Sequence, residues 1–176
     1  MVEEIEYSGD WLECLDLAAV PDLDDKHQEC EFFFKLLSVE TDRNKFRWLV
    51  SAFLNAVYSY FETSSLTAHF AFTHPVTAEP MKDPEWLDIL TEYVTFTQRK
   101  NDPNHVKTRA VHPVVKEVYE LRKKSTHHFS HSIMAVGPVL PKDFQFGDMR
   151  GQGKPALEQC QRAIEIVREV QGRLSS

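Results

Sequence analysis

A long stripe of apolar side chains at helical spacing is the feature that most constrains the fold of this chain. Between Arg43 and Thr63, apolar residues recur at every third or fourth position, as on the buried face of an amphipathic helix. They are Phe46, Leu49, Val50, Phe53, Leu54, Val57 and Phe61. Thr41 or Asp42 stands where such a helix needs an N-cap. Because a face this wide must be covered by other helices, the stripe predicts a helical bundle.

Other segments supply the covering helices. Residues 25–39 and 155–174 repeat the helical spacing, and residues 10–19 predict a shorter helix. A further helix is predicted to begin at Asp83-Pro84-Glu85 and to run to about residue 99. One more helix is predicted over residues 114–124. The predicted fold class is therefore mainly α, an up-and-down helical bundle of about five main helices.

Turn-forming residues separate these segments. Asn-Asp-Pro-Asn at residues 101–104 predicts a turn, after which the chain becomes helical again near His105 or begins a new helix at Pro113. Residues 132–146 predict either a short β-hairpin or a surface loop. The three glycines of residues 147–153 resemble a phosphate loop, but the Gly-Lys-Ser/Thr ending is missing, which favours a connector.

Length, cysteine content and hydropathy limit the class of protein. A chain of 176 residues suits one domain, with residues 1–22 as an acidic lead-in. The three cysteines (Cys14, Cys30 and Cys160) are far apart, which favours free thiols and gives no zinc motif. An acidic N-terminus is unlike a signal peptide, and no apolar run is long enough to span a bilayer. We therefore expect a cytoplasmic protein that needs no membrane, cofactor or metal.

Charge is distributed unevenly along the chain. The net charge is −7, which argues against a protein that coats nucleic acid over a broad surface. Residues 1–98 carry 6 basic and 19 acidic side chains, whereas residues 99–131 carry 8 basic and 3 acidic ones. Five of the eight histidines also lie in residues 99–131. Contact with a polyanion is therefore expected only at this block, although a solvated basic helix face explains the same pattern.

The basic block contains an arginine followed closely by two histidines. The sequence Leu-Arg-Lys-Lys-Ser-Thr-His-His ends the helix of residues 114–124 and places Arg122 five residues before His127. An arginine holds a phosphate at any pH, while a histidine exchanges protons near neutrality. This stretch resembles the Arg-x(4–6)-His signature of the HEPN superfamily of small helical-bundle proteins. One difference is Lys123, where members of the superfamily usually have Asn, Asp or His.

The resemblance implies a function and a set of site residues. Many HEPN proteins are metal-independent ribonucleases, and others are inactive relatives. Arg122 would bind the phosphate and His127 would be catalytic, with His128 as the substitute. Lys123, Lys124 and His128 would add phosphate or RNA contacts. The resemblance also implies a homodimer, and such a protein could be the toxin that a cognate antitoxin neutralises. The second hypothesis is a catalytically inactive helical protein that acts through protein or nucleotide contacts.

Helix geometry sets a condition on this site. Residues five apart on a regular helix are about 140° apart around its axis, so Arg122 and His127 converge only if the helix ends or bends between them. Arg122 alternatively serves only as a cation at the helix C-terminus. His127, His128 and His131 suggest a metal site, but no carboxylate motif accompanies them. A second arginine-to-histidine match, residues 99–105, crosses the predicted turn and follows no apolar helix.

Overall fold

Helices form most of the structure, a computed structural model that describes residues 23–72, 79, 85–99, 102–127, 131–147 and 153–176. The helices in these residues are α1 (Leu23–Leu37), α2 (Arg43–Phe72), α3 (Glu85–Thr91), α4 (Pro113–His127) and α5 (Ala156–Leu174). The strands are β1 (Val94–Arg99), β2 (Asp102–Ala110), β3 (Ile133–Ala135), β4 (Phe144–Phe146) and β5 (Lys154–Pro155). The predicted mainly α class is confirmed, with two small antiparallel sheets added to it.

The central element is α2, which contacts each of the other four helices. Its N-cap is Asp42, one of the two predicted residues, whose Oδ1 accepts hydrogen bonds from the backbone N–H groups of Asn44 and Lys45, both at 2.9 Å. These two bonds hold the pKa of the Asp42 carboxyl below its usual value. The helix is 30 residues long and continues to Phe72. Its length lets one helix pack against all the others.

The core is built from the predicted stripe of α2 and from one face of α5. Phe46, Val50, Phe53, Val57 and Phe61 are fully buried on α2. The buried side chains of α5 are Ala156, Cys160, Ala163, Ile164, Val167, Val170 and Leu174. Side chains of this size each contribute about 1.5–3 kcal/mol when they are fully buried, apart from the small Ala and Cys. Apolar burial along α2 and α5 is therefore a major source of stabilisation for the fold.

A three-stranded sheet in the order β3-β4-β5 lies between α4 and α5 in the chain. The hairpin predicted within residues 132–146 is present, with strands of three residues each. Phe144 of β4 is fully buried, and its ring centre lies 4.6 Å from that of Phe46 on α2. Gly147 follows β4 with φ +152°, a backbone conformation that side chains with a Cβ rarely adopt. The sheet is thus fixed to the central helix at Phe144.

One predicted helix is largely wrong. The segment expected to be helical as far as residue 99 forms only the two-turn helix α3, and the chain then enters β1. The expectation of a helix near His105 is also wrong, because residues 102–110 form β2 and pair antiparallel with β1, from Val94 with Ala110 onward. Alternation of apolar and polar residues with β-branched side chains favours a strand over residues 94–97. The partner strand supplies the backbone hydrogen bonds that a helix would otherwise have made.

Two predictions lie outside the described residues. These are the short helix of residues 10–19 and most of the glycine-rich stretch of residues 147–153. In the part of the chain that the structure describes, every helix is too short or too polar to cross a membrane. Cys30 and Cys160 are free and buried, as expected for thiols that take no part in a disulfide.

Candidate functional site

The helix that carries the arginine–histidine pair begins at a proline and packs on α2. Pro113 is the first residue of α4, the position where a missing N–H costs nothing. Val115 and Val118 are buried against the core. Tyr119 and Arg122 follow them at helical spacing, so they also meet α2. The apolar pattern of α4 therefore decides which way Arg122 points.

Arg122 lies against the side of α2. Its Cζ is 4.3 Å from the centre of the Tyr58 ring, and its Nε donates a hydrogen bond to Asn55 Oδ1 at 3.4 Å. Asn55 in turn donates from Nδ2 to the backbone carbonyl of Ser51 at 3.0 Å, which orients its amide. A cation over an aromatic ring contributes about 0.5–1 kcal/mol where it is exposed to water. Arg122 is therefore a positioned, half-buried side chain.

A carboxylate that the sequence analysis missed lies near enough to this arginine to feel its charge. Glu62 is one turn after Tyr58 on α2, and its Oε1 accepts a hydrogen bond from Tyr119 Oη at 2.9 Å and another from the Thr108 hydroxyl. Tyr119 also packs against Tyr58, with ring centres 4.6 Å apart. The group joins α2, α4 and β2 around one half-buried acid. One signal pointed to it: Glu62 is the sole acidic residue in the sequence of α2.

The electrostatics of Glu62 are set by burial. Desolvation raises the pKa of its carboxyl above the usual value, and the hydrogen bonds from Tyr119 and Tyr58 and the charge of Arg122 oppose that rise. Burial is also the main cause that raises the pKa of the Tyr58 hydroxyl. A carboxyl in this setting is easier to protonate than a solvated one. Arg122 is thus placed beside an acid that its own charge helps to keep ionised.

The second predicted catalytic residue is the last one of α4. The sequence predicted that this helix ends at Lys124, but it continues without interruption to His127. The Ser125-Thr126 pair does not stop it, since each of these residues costs a helix only about 0.5 kcal/mol. The Cα positions of Arg122 and His127 are consequently about 140° apart around the helix axis. Convergence of Arg122 and His127 within one chain required the helix to end or bend between them. The helix does not end between these two residues.

The remaining predicted residues surround the end of α4. Lys123 and Lys124 are exposed in its last turns, where the helix dipole favours cations. His128 lies outside the described residues. His131, the last histidine of the cluster, is buried beside the β3–β4 sheet. Among the described residues, no group of three or more His, Cys, Asp or Glu side chains is arranged to hold a metal ion.

Comparison with protein-family models, with curated proteins and with solved structures gave no match to this chain. The assignment of a function therefore depends on the geometry around α4 and on the resemblance of its sequence motif.

Proposed function

We propose that this protein is a HEPN-type, RNA-contacting protein that cleaves phosphodiester bonds without a metal ion, in a site shared by two copies of the chain. The observation that carries the proposal is the fixed position of Arg122 on Tyr58, at the basic end of α4. A guanidinium that is already held in place loses little conformational entropy when it binds a phosphate. The charge asymmetry supports the same location, because the basic residues are concentrated around α4.

The chemistry requires only these side chains and the RNA itself. A ribose 2′-hydroxyl attacks the adjacent phosphorus, and the bond to the leaving 5′-oxygen breaks. Arg122 would stabilise the negative charge that develops on the phosphoryl oxygens. His127 would take the proton of the attacking 2′-hydroxyl and deliver a proton to the leaving 5′-oxygen, a contribution typically worth about 10²–10⁴-fold. Lys123, Lys124 and His128 would hold the flanking phosphates.

The continuity of α4 supports a site between two chains. Because the Cα positions of Arg122 and His127 are about 140° apart around one helix, that helix does not by itself bring the two residues to the same side. In a two-fold symmetric homodimer, the arginine of one α4 can face the histidine of the other, and symmetry then produces two equivalent sites. A toxin with a cognate antitoxin is the setting that such an activity fits.

Cleavage of a single-stranded RNA in the presence of EDTA tests the proposal. The wild-type protein is expected to produce fragments that end in 2′,3′-cyclic phosphate, and to leave the 2′-deoxy analogue intact. Arg122→Ala and His127→Ala are each expected to lower the rate by about 100-fold or more. Arg43→Ala, at an exposed arginine at the start of α2, and His27→Ala on α1 are the matched controls and should leave it unchanged.

A second function is favoured by the contacts of Arg122 with Tyr58 and Asn55. These contacts also suit a purely structural arginine that joins α4 to α2. The protein would then be a catalytically inactive bundle that acts through protein or nucleotide contacts. Absence of cleavage by the wild-type protein, together with loss of stability in Arg122→Ala, would favour this function over the first.

A further inference from the structure

A cleft of about 650 Å³ lies on the side of α4 opposite the face that packs on α2. Lys116 and Lys124 line it from α4, and both side chains are exposed. Leu121 of α4 and Phe146 of β4 add apolar surface to its walls. A groove with apolar walls and a cationic rim is suited to an amphipathic segment that carries negative charge.

The charges of the cleft leave a positive balance. Its two α4 lysines take part in none of the salt bridges between described residues. Two acids also line the cleft, but Glu117 already pairs with Lys154 and, at 2.7 Å, with Arg162. Glu120 is therefore the main negative charge that opposes the two lysines.

Residues 1–22 of the same chain have the complementary chemistry. They contain seven acidic side chains and neither lysine nor arginine. Trp11, Leu12 and Leu15 are spaced so that they share one face of the helix predicted for residues 10–19. Apolar anchors at this spacing are typical of a helix that binds in a groove.

The start of α1 is close enough to the cleft for this segment to reach it. Gln171 Nε2 donates a hydrogen bond to Asp24 Oδ1 at 2.7 Å, so the start of α1 lies beside the end of α5. Gln159, which lines the cleft, comes twelve residues earlier on α5, about 18 Å along the helix. The twelve residues from Trp11 to Leu23 span up to about 25 Å, even with those as far as residue 19 helical.

A second cleft, on α1, is nearer along the chain but has the opposite charge balance. Its charged lining residues are Asp25, Lys26 and Glu29. Lys26 already pairs with Glu29 at 2.7 Å, and Asp25 adds a further negative charge. Because like charges across an interface repel, this cleft disfavours an acidic segment.

We propose that residues 10–19 dock in the cleft beside α4 and act as an internal cover of its basic face. Trp11 and Leu15 pack on the apolar walls, and the carboxylates of the segment face the lysines of the rim. Lys124 is also one of the residues proposed to hold RNA phosphates, so the docked segment and RNA compete for it. The docking itself does not depend on RNA cleavage.

A nitroxide spin label on Cys14 tests the docking without any substitution. Cys30 and Cys160 are 0% and 1% exposed, and burial raises the pKa of both thiols, so a thiol reagent should react at Cys14 instead. The label should broaden the backbone amide signals of Leu121 and Phe146, and reduction of the nitroxide should restore them. Unchanged signals at these residues, or broadening centred on the cleft of α1, would overturn the proposal.

Matched substitutions on both sides of the contact distinguish docking from a general effect of charge or size. Lys116→Glu should abolish the broadening, whereas Lys142→Glu, at an exposed lysine outside the cleft, should leave it in place. Without any label, Leu15→Ala should shift the same two amide signals. Leu17→Ala changes the opposite face of the predicted helix, so it should shift them less. Equal effects within either pair would contradict docking through this face.

A mixed sample shows whether the segment belongs to the same chain or to a second copy. Spin-labelled protein without ¹⁵N is mixed with ¹⁵N-enriched protein without the label. The amide signals of the cleft should then remain sharp, and broadening in this sample would place the segment of another copy there and overturn the proposal. None of these measurements uses RNA, so failure of RNA cleavage leaves their results intact.

Discussion

The guanidinium of Arg122 and the ring of Tyr58 are in direct contact, with 4.3 Å between Cζ and the ring centre. Tyr58 lies on the central helix α2, and Arg122 lies near the end of α4, so this contact fixes the direction of the predicted phosphate-binding group. The same ring packs against Tyr119, whose hydroxyl donates to Glu62. One aromatic side chain therefore connects the arginine to the half-buried acid.

Removal of the Tyr58 ring should lower the stability of the protein. Tyr58→Ala is expected to lower the free energy of unfolding by about 1–2 kcal/mol, because it removes the cation–π contact and the packing against Tyr119. Tyr58→Phe keeps the ring and loses the hydroxyl with its hydrogen bond to Glu62, so its effect should be smaller than that of Tyr58→Ala. Urea denaturation of both variants measures the difference. If Tyr58→Phe proves as harmful as Tyr58→Ala, the ring contact is not what positions Arg122.

Glu62 should make stability depend on pH in a defined direction. Its pKa is raised in the folded state, so the folded protein binds more protons than the unfolded one between the unfolded pKa of about 4.5 and the raised value. The contribution of this group to stability therefore falls as pH rises through that window. Glu62→Gln cannot ionise, and its stability relative to the wild type should increase over the same window.

The measurement is a series of urea midpoints for Glu62→Gln and the wild type, taken from about pH 4 to pH 8. The comparison within each pH cancels the other carboxyl groups that titrate in both proteins. A gap between the two midpoints that is constant with pH would mean that burial does not raise the pKa of Glu62.

The pair Arg168–Glu31 should show the opposite dependence on pH. Arg168 of α5 donates through Nε and Nη2 to the two carboxylate oxygens of Glu31 on α1, at 2.6 and 2.7 Å. These hydrogen bonds lower the pKa of Glu31, so their contribution is present above its unfolded pKa and is lost as pH falls through the folded one. Both side chains are partly exposed, which limits the effect to about 0.5–1 kcal/mol at pH 7.

Arg168→Met tests this pair, because methionine keeps much of the apolar stem and removes the charge. Its destabilisation relative to the wild type should be measurable by urea denaturation at pH 7 and should disappear at low pH. Lys142→Met, at an exposed lysine outside the helices, is the control for a general loss of positive charge. A deficit in Arg168→Met that persists at low pH would assign the effect to packing.

The sequence was sufficient for the helices whose apolar faces are long. The apolar spacing along α2 and α5 predicted which side of each helix is buried, because spacing along one helix is a local property of the sequence. Strands β1 and β2 were missed because Leu90, Tyr93 and Val94 also fit a helical face, and only pairing with residues 102–110 selects the strand. The local pattern of residues 90–94 gives no information about a partner strand formed by another segment.

The candidate site was predictable only in part. The motif singled out Arg122 and His127, and helix arithmetic stated the condition for them to converge. The contacts of Arg122 with Tyr58 and Asn55 join residues that are more than sixty positions apart in the chain, so no local spacing indicates them. Glu62 was missed for the same reason: the groups that surround it come from α4 and β2.

The most direct test of the shared-site account is complementation between two inactive variants. Arg122→Ala and His127→Ala carry different affinity tags, are co-expressed, and are purified as the mixed dimer. One of its two sites then has an intact arginine and an intact histidine, so the account predicts recovery of about half of the wild-type cleavage rate. The shared-site account would be contradicted if the mixed dimer is as inactive as either parent variant. It would also be contradicted if the wild-type protein is a monomer.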